Sequence, residues 1–224
     1  MSTITSTECD RCSLTGPTYL LIRRLQSLTG LMFGGYVLVH LLVNATIFNG
    51  GNEYQDQVNK IHSLPFLQAI EWSAIFLPFL IHAIYGLWIT INGRPNNASY
   101  PYAKNACYLL QRVSAVVILL FVLFHVLSLK YHAFGAALGF EWDGKAMETI
   151  GRHMHAYWFL PLLVYPLGIL AAAFHTANGF WTGAITWGLT ISAASQKRFA
   201  YLCAVIGVAI AVFGIVSIIG ALRI

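Results

Sequence analysis

Four histidines, His40, His82, His125 and His175, each lie inside a different long apolar segment of this 224-residue chain. Ionisable side chains at bilayer depth are costly, and where they occur they face a bundle interior and carry function. Neutral imidazoles facing each other in pairs across a helix bundle are the arrangement that bis-histidine haem ligation requires. The first expectation is therefore a pair of b-type haems, each held between two histidines, at two depths of a membrane bundle.

The elements that must position these groups follow from composition. Hydrophobic residues make up 58% of the chain and charged residues 9%, against about 25% charged in a soluble domain. Five apolar stretches approximate 21–43, 66–91, 107–129, 157–174 and 199–222, each near the roughly 20 residues that cross the hydrocarbon core as a helix. The fold class expected is an all-α integral membrane protein, five transmembrane helices bundled around two haems, with residues 1–20 as a cytoplasmic tail and 21–224 as one cytochrome b domain. The first 20 residues are polar and contain acids, and the first apolar run is too long for a signal peptide's core, so no cleavable signal is read here.

The formal charge of +5 is distributed by membrane side, which argues for lipid bilayer rather than nucleic acid as its partner. With the N-terminus cytoplasmic, the inner segments carry Arg11, Arg23, Arg24, Arg94, Lys104, Arg112, Lys197 and Arg198. The outer ones carry Lys60, Lys130, Lys145, Arg152 and Arg223, together with Glu53, Asp56, Glu71, Glu141, Asp143 and Glu148. That bias sets the N-terminus inside and the C-terminus outside. The polar connections 46–65 and 130–155 read as outer loops, and His62, His132, His153 and His155 read as mostly solvated there. Cys9 and Cys12 form a C-x-x-C pair without the second pair a zinc site needs, and Ser13 in place of histidine excludes a c-type haem attachment.

Depth then pairs the ligand candidates. Each histidine lies roughly 16–20 residues, or about 25–30 Å, along its helix at 1.5 Å per residue. Helices one and three run outward and helices two and four inward, so His40 pairs with His125 near the outer face and His82 with His175 near the inner one. Gly86 and Gly179 each stand four residues after a candidate, on the same helical face. They read either as clearance for a flat macrocycle or as helix-packing residues. Asn44 has the same offset from His40, and Gly30-x-x-x-Gly34 admits a close neighbour. Arg23, Arg24, Arg112 and Lys197 near the inner face read either as interfacial anchors or as partners for haem propionates.

These residues resemble the cytochrome b membrane anchors of succinate:quinone oxidoreductases and fumarate reductases, in the class with five helices, two haems and a single anchor chain. The resemblance is carried by Arg23-Arg24-Leu25-x-Ser27-Leu28, His40-Leu41-x-Val43-Asn44, His62-Ser63-Leu64-Pro65-Phe66 and Phe76-Leu77-Pro78 leading to His82-Ala83-Ile84-Tyr85-Gly86. It continues through Leu110-Gln111-Arg112, Phe124-His125-Val126, Phe174-His175-x-Ala177-Asn178-Gly179 and Ser195-Gln196-Lys197. It implies iron ligation by the four histidines, with Ser27, Asn44, Gly86 and Gly179 beside the cofactors. It also implies a flavoprotein subunit with covalent FAD, an iron–sulfur subunit bearing the clusters, a membrane quinone (menaquinone in this class) near the outer haem, and a bacterial inner membrane location. Gln26 departs from the histidine that relatives often have in the early motif. Ala173 replaces a glutamate held by some two-haem fumarate reductases.

No flavin or dicarboxylate site is visible in the chain, so its own part is electron transfer to quinone, with Glu71 and His62 as candidates for quinone protonation. Two other readings remain open on residues alone: the di-haem cytochrome b of a hydrogenase or formate dehydrogenase, and a haem-free transporter or anchor whose histidines relay protons. Transporters of that kind show broken helices in inverted repeats, and Pro78, Pro161 and Pro166 mark where such breaks would fall.

Overall fold

The computed structural model describes residues 17–93, 98–139 and 144–224, and there every regular element is a helix. The C-x-x-C pair, Arg94, Glu141 and Asp143 lie outside the described residues. Eight α-helices follow in order: α1 Pro17–Ala45, α2 Gly51–His62, α3 Leu67–Glu71, α4 Leu77–Asn92, α5 Ala103–Leu129, α6 Ala146–Ala156, α7 Tyr165–Thr186 and α8 Ala193–Ala221. A π-helical turn, Trp72–Phe76, joins α3 to α4, and another, Leu160–Val164, leads into α7. Five rods are long and apolar enough to cross a membrane: Leu20–Asn49, Leu67–Asn92, Ala103–Leu129, Leu160–Thr186 and Ala193–Ala221.

The rods differ from the apolar stretches mainly at their ends. The backbone ladder continues through polar residues as long as each N–H finds its carbonyl, so α7 runs on past Phe174 through Thr182 and Thr186. Those threonines return their hydroxyls to the carbonyls of Asn178 and Thr182 at 2.9 and 3.0 Å. The helix stops where Gly188 takes φ +71° and the Leu189 N–H reaches back to the Ala184 carbonyl at 2.8 Å. α8 starts well before residue 199 because Ser192 and Ser195 form a reciprocal cap, each accepting the other's backbone N–H at 3.1 Å. The π turns widen the backbone just where Pro78, Pro161 and Pro166 lack an N–H and crowd the preceding turn. The rods stay continuous through them.

The two connections expected as loops hold helices instead. α2 and α6 lie across the end of the bundle where α1, α5 and α8 finish, and we term this the capped end. They are tied together by the Gln55 amide, whose oxygen accepts from the Ala146 N–H at 2.7 Å and whose nitrogen donates to the Gly144 carbonyl at 3.2 Å. α4 ends and α5 begins at the opposite, turn end, where the connection 187–192 also lies. In the bundle α7 packs on α5 and α8, and α1 on α4 and α8. Small residues set the α7–α8 distance: a side chain on Gly214 would meet Ile169 at 2.6 Å, and one on Gly207 would meet Ala177 at 3.0 Å. Buried Ile47, Tyr54, Ala146, Met154, Leu160, Tyr165, Ile169, Ile218 and Ala221 form one core toward the capped end. Leu20, Ile84, Leu120, Leu170 and Val208 stand exposed on the flanks, an apolar exterior that suits lipid.

Candidate haem-binding centre

The four long-segment histidines meet as two couples. The rings of His82 on α4 and His175 on α7 have centroids 6.2 Å apart with planes at 88°. Those of His40 on α1 and His125 on α5 are 5.9 Å apart at 89°. Each couple joins one helix from the first hairpin of spans to one from the second, and the couples lie at different heights.

That spacing matches what a shared metal demands. Two metal–imidazole bonds of about 2.0 Å each, plus about 1.1 Å from each coordinating nitrogen to its ring centre, put the centroids about 6.2 Å apart. The donors are chemically right as well. His82 and His175 turn Nδ1 toward the main-chain carbonyls of Gln26 and Gln111, at 2.9 and 3.2 Å. A carbonyl only accepts, so Nδ1 carries the proton there and Nε2 keeps the lone pair a metal needs. Gly30 completes the fit on the first couple, since a Cβ there would stand 2.5 Å from His82 Cε1 and 2.8 Å from Nδ1. Only a glycine lets the ring lie against α1. Gly34, one turn on, admits Phe180 and Thr176 of α7 in the same way.

The second couple is held differently. His40 Nδ1 is 3.4 Å from the Tyr36 hydroxyl and its Nε2 is 3.4 Å from the Asn44 amide nitrogen. That amide donates more closely to the His40 carbonyl, at 2.7 Å. His125 Nδ1 is buried with no hydrogen-bond partner among the described residues. Around these rings stand Phe121, stacked on His125 at 5.6 Å, and Tyr165, edge-on at 5.9 Å.

The other expected site residues distribute between the two ends. Gly86 and Gly179 lie beside the glutamine amides, with a Cβ on each meeting Gln26 Nε2 at 3.2 Å and Gln111 Nε2 at 3.7 Å. Ser27 accepts the indole N–H of Trp187 at 3.1 Å, and Arg24 lies over that same ring at 5.7 Å. Arg112 stacks on Tyr108 at 3.4 Å and donates to its hydroxyl. Arg23 and Lys197 are exposed at the turn end. Glu71 forms an ion pair with Lys130 at 2.6 Å, on the side of the bundle where Tyr36 contacts His40. His62 stands exposed in the last turn of α2 and is not drawn into either couple.

Sequence reasoning missed one residue outright. His153, expected in solvent, is 0% exposed. Its Nδ1–H donates to the Leu138 carbonyl at 2.8 Å, and the Tyr165 hydroxyl lies 2.9 Å from Nε2. Burial holds its pKa below the ordinary histidine value, against the smaller opposing pull of the Leu138 carbonyl. Tyr54, another buried residue of the cap, has its hydroxyl 3.5 Å from Asn44 Oδ1 and its pKa pushed up to about 12 by burial. The available signal was the spacing of Met147, Ile150 and Met154, which marks an apolar helical face over 146–156.

No protein-family model matches the chain. Among curated proteins, the succinate dehydrogenase cytochrome b558 subunit of Bacillus subtilis (strain 168) is 32% identical over 207 residues, which span 92% of this chain and 98% of the relative. With five membrane-length helices as well, the chain is a multi-pass membrane protein and belongs to the succinate dehydrogenase cytochrome b subunit family.

Proposed function

We propose that this chain is the membrane-anchor cytochrome b subunit of a succinate:quinone oxidoreductase, acting as a succinate dehydrogenase or fumarate reductase, and that each histidine couple ligates one haem b. The observation that carries this reading is the double couple itself: facing imidazoles 5.9 and 6.2 Å apart, at two heights, from four different spans. Membership of the family supports it independently. When bound, the haems supply one-electron carriage between a soluble partner and membrane quinone.

The chain's own residues do the rest. His82 and His175 bind through Nε2 with their tautomer set by carbonyls, and His40 and His125 bind inside an aromatic, water-excluding enclosure. Arg23, Arg24, Arg112 and Lys197 supply positive charge at the turn end, where carboxylates of a bound macrocycle would be neutralised. Gly86, Gly179, Ser27 and Asn44 shape the space beside the rings. In this reading, supported by the basic bias of the turn-end segments, that end faces the bacterial cytoplasm, where the FAD-bearing flavoprotein and the iron–sulfur subunit dock. The capped end faces outward and works with quinone, menaquinone in this reading, with Glu71 and His62 as the groups that exchange protons with it.

Mild purification with its partners, followed by a reduced-minus-oxidised spectrum and a pyridine haemochrome assay, tests the proposal. Two haems b per chain, reducible by succinate through co-purifying flavin and iron–sulfur subunits, are expected. A colourless protein, or haem without those partners, would overturn it.

A further inference from the structure

Gln26 lies fourteen residues before His40, and Gln111 fourteen residues before His125. The two glutamines thus hold equivalent places on α1 and α5, the first spans of their hairpins. Neither serves the histidine of its own helix. Each reaches across to a turn-end histidine on a neighbouring helix and makes two bonds. The Gln26 carbonyl takes the His82 Nδ1–H at 2.9 Å, and the Gln26 amide donates back to the His82 carbonyl at 3.1 Å. The Gln111 carbonyl and amide meet the same two atoms of His175, both at 3.2 Å.

The second clasp is reinforced. Asn178 donates to Gln111 Oε1 at 2.8 Å, fixing which way that amide points. Ser114 Oγ lies 3.2 Å from both the Gln111 carbonyl and His175 Nδ1. The clasp also accounts for one glycine. A Cβ at Gly86 would press on the Gln26 amide at 3.2 Å, whereas one at Gly179 would stand in ordinary contact with the Gln111 amide at 3.7 Å. Gly86 thus leaves room for the glutamine next to the histidine it grips. Nothing comparable exists at the capped-end couple among the described residues.

We propose that Gln26 and Gln111 are positioning residues for the turn-end haem: their main-chain carbonyls set the tautomer of His82 and His175, and their side-chain amides fix the height and turn of those histidines, and so the near-perpendicular crossing of the two imidazole planes. This rests on the haem reading above. Hydrogen bonding at the far nitrogen sets both the orientation and the electron donation of a metal-bound imidazole. The crossing angle has its own spectroscopic signature: low-spin ferric haem with perpendicular imidazoles gives a strongly anisotropic resonance whose largest g value falls as the planes turn toward parallel.

The test uses the purified whole complex carrying Gln26→Leu, Gln111→Leu or both, examined by electron paramagnetic resonance and redox titration, with haem counted on the same samples. These substitutions keep the main-chain carbonyls and remove only the side-chain amides. The expected result is therefore a lower largest g value for one of the two ferric signals, with any change of potential confined to the same haem and the other signal unmoved. The affected signal should be the one that His82→Ala abolishes. Loss of that haem alone, with the remaining signal unshifted, supports the same assignment. Two haems with both signals unchanged would overturn it, as would equal changes at both sites, which would put the glutamines in general helix packing. A wild-type complex without haem would instead sink the function proposed above, so the two failures are distinguishable.

Discussion

The two ends of the bundle hold their histidines by different means. At the turn end both imidazoles give Nδ1–H to main-chain carbonyls of a neighbouring helix, and those carbonyls belong to residues that bond back. At the capped end the ring nitrogens of His40 meet only side chains among the described residues, at 3.4 Å, and His125 Nδ1 meets none. Packing runs the other way. Leu160 and the α6 residues His153 and Thr149 are fully buried, and the main core cluster lies there. One site is ordered by hydrogen bonds from neighbouring helices and the other by a lid and a core. A metal ligand needs its ring fixed, and this chain does so in two ways within one repeat.

The largest effect that can break this comparison comes from the ligands. His82→Ala or His175→Ala should lower the haem count from two per chain to one, and His40→Ala or His125→Ala should remove the other haem. Pyridine haemochrome assays on purified complexes check this. If any single substitution empties both sites, the two ends do not behave as separate centres.

A subtler probe uses the glycines of α1. Gly30→Val would drive its side chain into the His82 ring, and overpacking of this kind costs about 1–3 kcal/mol. The turn-end haem should be lost or weakened while the capped-end haem stays. Gly35→Ala is the control, because a Cβ there meets nothing within 4 Å. Haem content and the ferric resonances of both variants read the outcome, and equal damage from both would dismiss the close-approach argument.

These contrasts show which parts of the molecule could be read from sequence. The spans were legible because apolar runs of bilayer length admit few other structures, and the couples because depth depends only on helical rise and direction. Span ends were not, since α7 and α8 extend through Thr182, Thr186 and Ser195, whose hydroxyls serve the backbone regardless of hydropathy. The cap was not legible because α2 and α6 are short amphipathic helices, 12 and 11 residues long, whose polar faces resemble loops. Gln26 read as a departure from a motif. Its part became visible only with α4 beside it, for a clasp between residues 26 and 82 leaves no local periodicity.

Acid should separate the ends next. His153 is neutral in the fold, its pKa held below the ordinary value of 6.5 by burial. The unfolded chain therefore binds the extra proton as pH falls below about 6.5. Capped-end stability should be constant above that pH and decline below it, toward the lowered folded value. Thermal melts of the complex at pH 7.5 and 5.5 should show the loss, and His153→Gln should flatten it. Tyr165→Phe, which leaves the buried Nε2 without its hydroxyl partner, should cost about 1–3 kcal/mol at neutral pH. Acid sensitivity unchanged in His153→Gln would assign the effect to other groups.

The smallest structural effect, and the most useful for function, concerns the pair Glu71–Lys130. Its side chains are 23% and 38% exposed, and an ion pair so placed contributes up to about 1 kcal/mol. Breaking it should hardly move the melting temperature or the haem count. Glu71→Gln and Lys130→Gln break the same pair, but only the first removes a carboxylate able to carry a proton. If Glu71 serves the capped-end quinone reaction, Glu71→Gln should lower quinone turnover several-fold and shift its pH profile, and Lys130→Gln should do neither. Equal losses would make the pair an anchor for α3. Unchanged turnover in Glu71→Gln would remove Glu71 from proton delivery and leave the capped end distinguished by its packing alone.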